Sequence, residues 1–304
     1  MSSTMSPAFT TCVFDMGDHD TRLLTVAVEP PKPLLIASPC ETGEYPVLLF
    51  LHGYLLYNRF YSQLIRHVAS HGFVVVAPQL YTIACLDCTL EINSAAELTI
   101  WLMEGLPPLL PPNVRPNLSK LVISGHSRGG KAAFALALGK CSSKSLPFSA
   151  LIGIDPVDGM DKGCRTSPAI LTYVPGSFDI GMPTMVVGSG LGEVRMNLLF
   201  PPCAPRGVNH EDFFRECRAP ACYLVAKGYG HMDMLDDETD GMRGKATYCF
   251  CKNGDRREPM RRFVGGAVVA FLRAYLGGDD RDMAAIREGC AEVPLEIQKA
   301  EFLP

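Results

Sequence analysis

This 304-residue sequence predicts an α/β fold with a mostly parallel central sheet and helices on both faces. Three observations carry that prediction. Short continuous apolar runs, such as Tyr45 to Leu51 (YPVLLFL) and Phe73 to Pro78 (FVVVAP), read as strands buried on both sides. Helix-favouring stretches separate such runs, and strand–helix alternation builds parallel sheets. Gly125-His126-Ser127-Arg128-Gly129 stands between one apolar run and an Ala-rich stretch.

Thr11 to Val28 alternates loosely and predicts an opening hairpin, with its turn at Gly17 to Asp20. A Pro-rich connection, Pro30 to Pro33, leads to a short strand at Leu34 to Pro39. Tyr45 to Leu51 follows as a buried strand, ended by His52-Gly53-Tyr54. Asn58 to Ser70 is amphipathic and closed by Gly72, as a helix would be. Phe73 to Pro78 is the next strand and Ser94 to Glu104 the next helix, and a Pro-rich loop runs on to Asn117. Leu121 to Ser124 forms the strand before the glycine motif, and Lys131 to Leu138 (KAAFALAL) the helix after it. Three more strands are expected at Ala150 to Asp155, Met182 to Gly188 and Ala221 to Ala226. Pro259 to Leu276 is a long amphipathic helix stopped by Gly277-Gly278. With no repeat and no domain-scale linker, residues 1–304 read as one domain. Leu191 to Arg218 is long, irregular and rich in Pro, Cys and Arg, and such insertions usually cover an active site.

Composition excludes several functions. Hydrophobic residues make up 47% and charged residues 20%, enough for a large core and against disorder. A net charge of −4 leaves no basic footprint for nucleic acid. No apolar run approaches the roughly 20 residues of a membrane span. The N-terminus has neither a basic segment nor an apolar one, so secretion is not expected, and it reads as a poor transit peptide. Twelve cysteines are spread too thinly for a disulfide scaffold. Cys85/Cys88 and Cys249/Cys251 are close pairs, but no second pair or histidine completes a zinc set. Unpaired thiols in a reducing compartment are therefore expected.

Gly-x-Ser-x-Gly between strand and helix is the nucleophile elbow of the α/β-hydrolase fold. The serine occupies a strained turn, and the glycines let strand and helix pass close together. The fold needs a base and an acid in the chain order serine, acid, histidine. Of seven histidines, only His210 and His231 follow Ser127. His231 comes directly after the last buried strand, where a catalytic loop belongs, whereas His210 lies inside the insertion. The usual acid position, after Met182 to Gly188, offers only Glu193. Asp155 ends the strand next after the elbow, at the edge where open α/β sheets bind ligands. Asp155 ranks first, Asp158 second and Glu193 third. The backbone N–H groups of Tyr54 and Arg128 are the expected oxyanion donors. In the mechanism, His231 takes the Ser127 proton, Ser127 attacks an ester carbonyl, and water cleaves the acyl-enzyme. No metal or organic cofactor is required.

The chain resembles the plant chlorophyllase family along most of its length. The resemblance rests on YPVLLFLHGY (45–54), SGHSRGGKAAFALAL (124–138), IDPVDG (154–159), LTYVP (171–175), NHEDFF (209–214), YGHMDMLDD (229–237) and 259–276. It implies a triad of serine, aspartate and histidine that falls here on Ser127, Asp155 and His231. It also implies the substrate: chlorophyll, a flat magnesium-bearing tetrapyrrole esterified to phytol. The magnesium would belong to the substrate, so no protein metal site is expected. Val157, Met160, Leu191, Met196, Leu199 and Phe200 are candidates to line a large apolar cleft. The family suggests the chloroplast, with cytosol or endomembrane as alternatives, and peripheral membrane contact would let the protein reach its substrate. Two other functions stay open from the residues alone: a broader carboxylesterase or lipase, and a non-catalytic tetrapyrrole carrier.

Overall fold

The computed structural model describes residues 12–83 and 86–304. Its centre is a nine-stranded sheet. In chain order the strands are β1 (Thr21–Val26), β2 (Leu34–Pro39), β3 (Gly43–Leu51), β4 (Val74–Pro78), β5 (Val114–His126) and β6 (Ala150–Ile154). A small hairpin follows, β7 (Gly159–Asp161) with β8 (Cys164–Arg165), and then β9 (Thr184–Ser189), β10 (Ala221–Ala226) and β11 (Ile297–Leu303). The spatial order is β1-β2-β4-β3-β5-β6-β9-β10-β11. Pairing is parallel from β4 through β10 and antiparallel at both edges, where β1, β2 and β11 close the sheet.

The parallel strands are buried on both faces because alternate residues feed two cores. Leu48 and Phe50 of β3 point into one, with α1 (Ser62–Ser70) and α6 (Glu258–Leu272). Val47, Leu49 and Leu51 point into the other, with α2 (Thr89–Gly105), α3 (Arg128–Ala137) and α4 (His210–Glu216). Strand period two makes the continuous apolar runs legible as buried strands. Two further helices, α5 (Gly241–Cys249) and α7 (Arg281–Glu288), flank α6 in sequence.

The opening hairpin is the main correction. Thr11 lies outside the described residues, and Cys12 to Asp20 form no strand. Val13 and Phe14 are buried instead in the α1/α6 core, where the Phe14 ring stacks on Phe263 with centroids 6.2 Å apart. Gly266 admits that ring, since a Cβ there would lie 2.3 Å from it. The real hairpin is β1 with β2, joined by the Pro-rich connection. Val114 to Asn117, read as loop, pairs with Gly43 to Pro46 and extends β5, with a register shift before Val47. Pro116 argued against a strand there, but the partner strand supplies the ladder. Helix α2 starts five residues earlier than expected, at Thr89, and α6 yields at Arg273 to one π-helical turn ending on left-handed Gly278 (φ 72°). Helices α4, α5 and α7 and strand β11 were not anticipated.

The expectation of unpaired thiols fails at one place: Cys203 and Cys251 form a disulfide. It ties the irregular segment after β9 to the chain just beyond α5, where Arg195 also bridges to Cys251 and Phe200 packs on Phe250. The two cysteines are 48 residues apart, so spacing could not pair them. Cys85 lies outside the described residues.

Candidate active site

Strand β5 turns into α3 at Ser127, whose backbone takes φ 56° and ψ −123°. A side chain in that region costs about 1–3 kcal/mol, held only where surroundings enforce it. The two motif glycines enforce it by close approach. A Cβ at Gly125 would sit 2.3 Å from the Gly129 carbonyl oxygen, and one at Gly129 would sit 2.2 Å from that of Leu51. The Ser127 amide donates to Ile154 O at 2.9 Å, locking the turn to β6.

His231 and Asp155 meet Ser127 there. His231 Nε2 lies 2.8 Å from Ser127 Oγ and Nδ1 lies 2.7 Å from Asp155 Oδ2. A carboxylate can only accept from Nδ1–H, so Nε2 accepts the serine proton, the tautomer a general base needs. Asp155 has φ 44° and is fully buried. Ser189 supplies two more donors to it, Oγ at 2.5 Å and the amide at 3.2 Å. Burial pushes the carboxyl pKa up, but the His231 bond and charge, with His210 and Ser189, outweigh it and hold it at about 2.

The other two acids face elsewhere. Asp158 lies 3.3 Å from the fully buried Lys131 Nζ and takes the Ile170 and Leu171 amides on its other oxygen. Glu193 accepts from Asn209 Nδ2 at 2.9 Å.

Gly53 explains the glycine after His52: a Cβ would lie 3.0 Å from His126 Nδ1 and 3.3 Å from Ser127 Cβ. The Gly53 carbonyl accepts from His52 Nδ1 at 2.9 Å and Tyr81 OH at 3.2 Å. Because a trans peptide sets C=O and N–H opposed, fixing that carbonyl also fixes the Tyr54 N–H. The Tyr54 and Arg128 amides make no hydrogen bond among the described residues. The Arg128 guanidinium is anchored on Glu91, with Nε 2.9 Å and Nη2 2.5 Å from its oxygens, and lies 5.6 Å from the Tyr54 ring centroid.

Two buried histidines escaped the sequence reading as parts of this site. His126 Nε2 donates to the His231 carbonyl at 2.9 Å, while Nδ1 accepts from Tyr61 OH at 2.7 Å. Tyr61 OH in turn accepts the Gly53 amide at 3.0 Å. One relay therefore joins the His231 loop to the Gly53 loop, and burial, reinforced by His231, pushes His126 well below its usual pKa. His210 lies 3.6 Å from Asp155 Oδ1, and its position inside the insertion gave no signal of that.

Of the candidate cleft residues, Val157 is beside the elbow, its amide donating to Ser127 O at 3.3 Å. The Leu191 amide donates to Tyr229 O at 2.8 Å, and Phe200 packs on Phe250. Met160, Met196 and Leu199 are exposed.

A sequence model of the chlorophyllase family matches residues 9–304. The chain belongs to the chlorophyllase family. It is 56% identical to Chlorophyllase-2 of Arabidopsis thaliana over 98% of this chain and 100% of that protein. It is 46% identical to Chlorophyllase-1 of the same plant, over 99% and 96%. It is 44% identical to a protein of Citrus unshiu named "Chlorophyllase-1, chloroplastic", over 96% and 88%. The chain is thus a carboxylic ester hydrolase of the chlorophyllase family, built on an α/β-hydrolase fold. Among the described residues, no helix is long and apolar enough to cross a membrane.

Proposed function

We propose that this protein cleaves the phytyl ester of chlorophyll to chlorophyllide and phytol by a serine acyl-enzyme mechanism. One observation carries the reading: in a chlorophyllase-family chain, Ser127 Oγ, His231 and Asp155 are linked by contacts of 2.8 and 2.7 Å at a strained strand–helix turn. His231 takes the proton as Ser127 Oγ attacks the ester carbonyl. Asp155, ionised and held by three donors, orients His231 and stabilises its cationic form. The Tyr54 and Arg128 amides receive the developing oxyanion. His231 then protonates phytol as it leaves and activates the water that releases chlorophyllide.

Further parts of the reading rest on placement. Residues 1–304 act as one domain, and residues 191–218 cover the site, with Val157, Met160, Leu191, Met196, Leu199 and Phe200 as candidate contacts for the tetrapyrrole or its chain. The loops after β3, β4 and β9 expose Tyr54, Leu55, Ile83, Leu86, Leu198 and Leu199 at the carboxyl end of the parallel strands, the end that carries Ser127. That apolar rim supports peripheral contact with a lipid surface holding the substrate. The name of the Citrus relative supports a chloroplast location.

The test is Ser127→Ala with chlorophyll a as substrate. Chlorophyllide release should fall by at least about 1,000-fold with the circular dichroism spectrum unchanged. Undiminished release would rule out Ser127 as nucleophile.

A further inference from the structure

Asp155 lies between two histidines, and the mechanism uses only one. His231 bonds Oδ2, while the His210 Nε2 faces Oδ1 at 3.6 Å, too far for a hydrogen bond but within ion-pair range. The other His210 nitrogen, Nδ1, lies 2.6 Å from Tyr223 OH. The fold makes room for this ring. Gly188 sits in the buried strand β9, and a Cβ there would lie 2.4 Å from His210 Nδ1. Glycine in a strand interior weakens the strand and marks a close approach, here by an imidazole.

His210 is also reached from behind. A cavity of about 300 Å³ opens between β9, β10 and β11, lined in part by Ser189, Glu193, His210, Tyr223 and Lys299. Asp155 at the end of β6 and Tyr223 on β10 face the ring, and Glu193, Glu211 and Lys299 on β11 line the cavity behind it. Lys299 pairs with Glu211 at 3.7 Å and Glu301 at 2.8 Å. Carboxylates outnumber cations there, and the cavity gives a proton a route to the ring.

We propose that His210 is a positioning residue for Asp155 whose neutral form keeps the carboxylate serving His231, and whose protonation through the rear cavity stops the reaction. In the neutral ring, Tyr223 OH donates to Nδ1 and Nε2–H presents its dipole to Oδ1, which favours the ionised acid without a second cation. A proton on Nδ1 makes the ring that second cation and ends its role as acceptor for Tyr223 OH. Asp155 then faces an imidazolium on each side as His231 takes the serine proton, and the charge it lends to His231 is shared. The inference rests on the triad proposed above.

The experiment is the pH dependence of fluorophosphonate labelling of Ser127 in the full chain, which needs no chlorophyll. Two groups must then be neutral, so the slope of log rate against pH approaches two on the acid side, and the limb belongs to the pair. His210→Gln keeps an N–H dipole toward Oδ1 and an acceptor for Tyr223 but cannot ionise. It should lower the plateau rate about three- to tenfold and reduce the limiting slope to about one. Tyr223→Phe removes the hydroxyl that favours the neutral ring, and should move the acid limb to higher pH, but not in the His210→Gln background. A slope that His210→Gln leaves unchanged, or an acid limb that Tyr223→Phe leaves in place, overturns the inference alone. Native protein that is not labelled at Ser127 overturns the triad and the inference with it.

Discussion

Asp155 and Asp158 are three residues apart on one loop and equally buried, yet their neighbours give them opposite tasks. Asp155 takes a left-handed backbone that turns its carboxylate to His231, whereas Asp158 neutralises Lys131 inside α3 and ties down the segment at Ile170 and Leu171. Asp155→Asn should lower kcat by about 10,000-fold, because a neutral amide no longer selects the His231 tautomer or stabilises its cation. Asp158→Asn should leave kcat within an order of magnitude but cost about 3–5 kcal/mol of stability, since Lys131 loses its buried counter-charge. Steady-state kinetics and urea unfolding on both variants separate the two; an inactive, stable Asp158→Asn would exchange the roles.

Strands β5 and β6, helix α3 and the loop after β10 were each recognisable from local pattern, and each delivers one part of the site. The segment after β9 is different. It has little regular structure until Asn209 caps α4 with a capping box, and it is held by the Cys203–Cys251 disulfide. A cross-link across 48 residues contributes up to about 4 kcal/mol by restricting the unfolded chain. Cys203→Ser should lower the thermal midpoint by several degrees and open residues 191–208 to limited proteolysis, which mass spectrometry of the first cleavage products would locate. Proteolysis that begins elsewhere would show that other contacts hold the segment.

Across the whole molecule, burial keeps several histidines neutral. His52 and His71 are pushed down to about 4, and His67 and His126 are lowered as well, in each case chiefly by desolvation. The sign is set by comparison with the unfolded chain, where histidine titrates near 6.5. At these histidines the unfolded state binds more protons between pH 6.5 and 4, so their contribution to stability falls as pH falls through that window. Asp155 acts lower: its contribution is complete above the ordinary 3.8 and is lost only as pH drops through about 2. The thermal midpoint should therefore fall by about 5 °C or more between pH 6.5 and 4.5. Scanning calorimetry across that range checks it, and a flat profile would mean that these histidines are not buried neutral.

The sequence by itself determined the α/β architecture, because a strand buried on both faces must be apolar throughout and a helix on one face must be periodic. It also marked Ser127, through glycine spacing that only a tight strand–helix turn requires, and His231, through its place after the last parallel strand. Spacing ranked Asp155 above Asp158 only by position, since two aspartates before and after proline-containing turns look alike, and the family resemblance supported the same choice. Only the tertiary structure decided what each faces. Lys131 reaches Asp158 from inside α3, and His210 reaches Asp155 because α4 packs against β9 at a glycine. The disulfide and the relay from Gly53 through Tyr61 and His126 to His231 belong to the same class. All but the Gly53–Tyr61 bond are contacts between residues tens of positions apart, and their existence depends on strand order and helix packing, which leave no periodic trace in the chain.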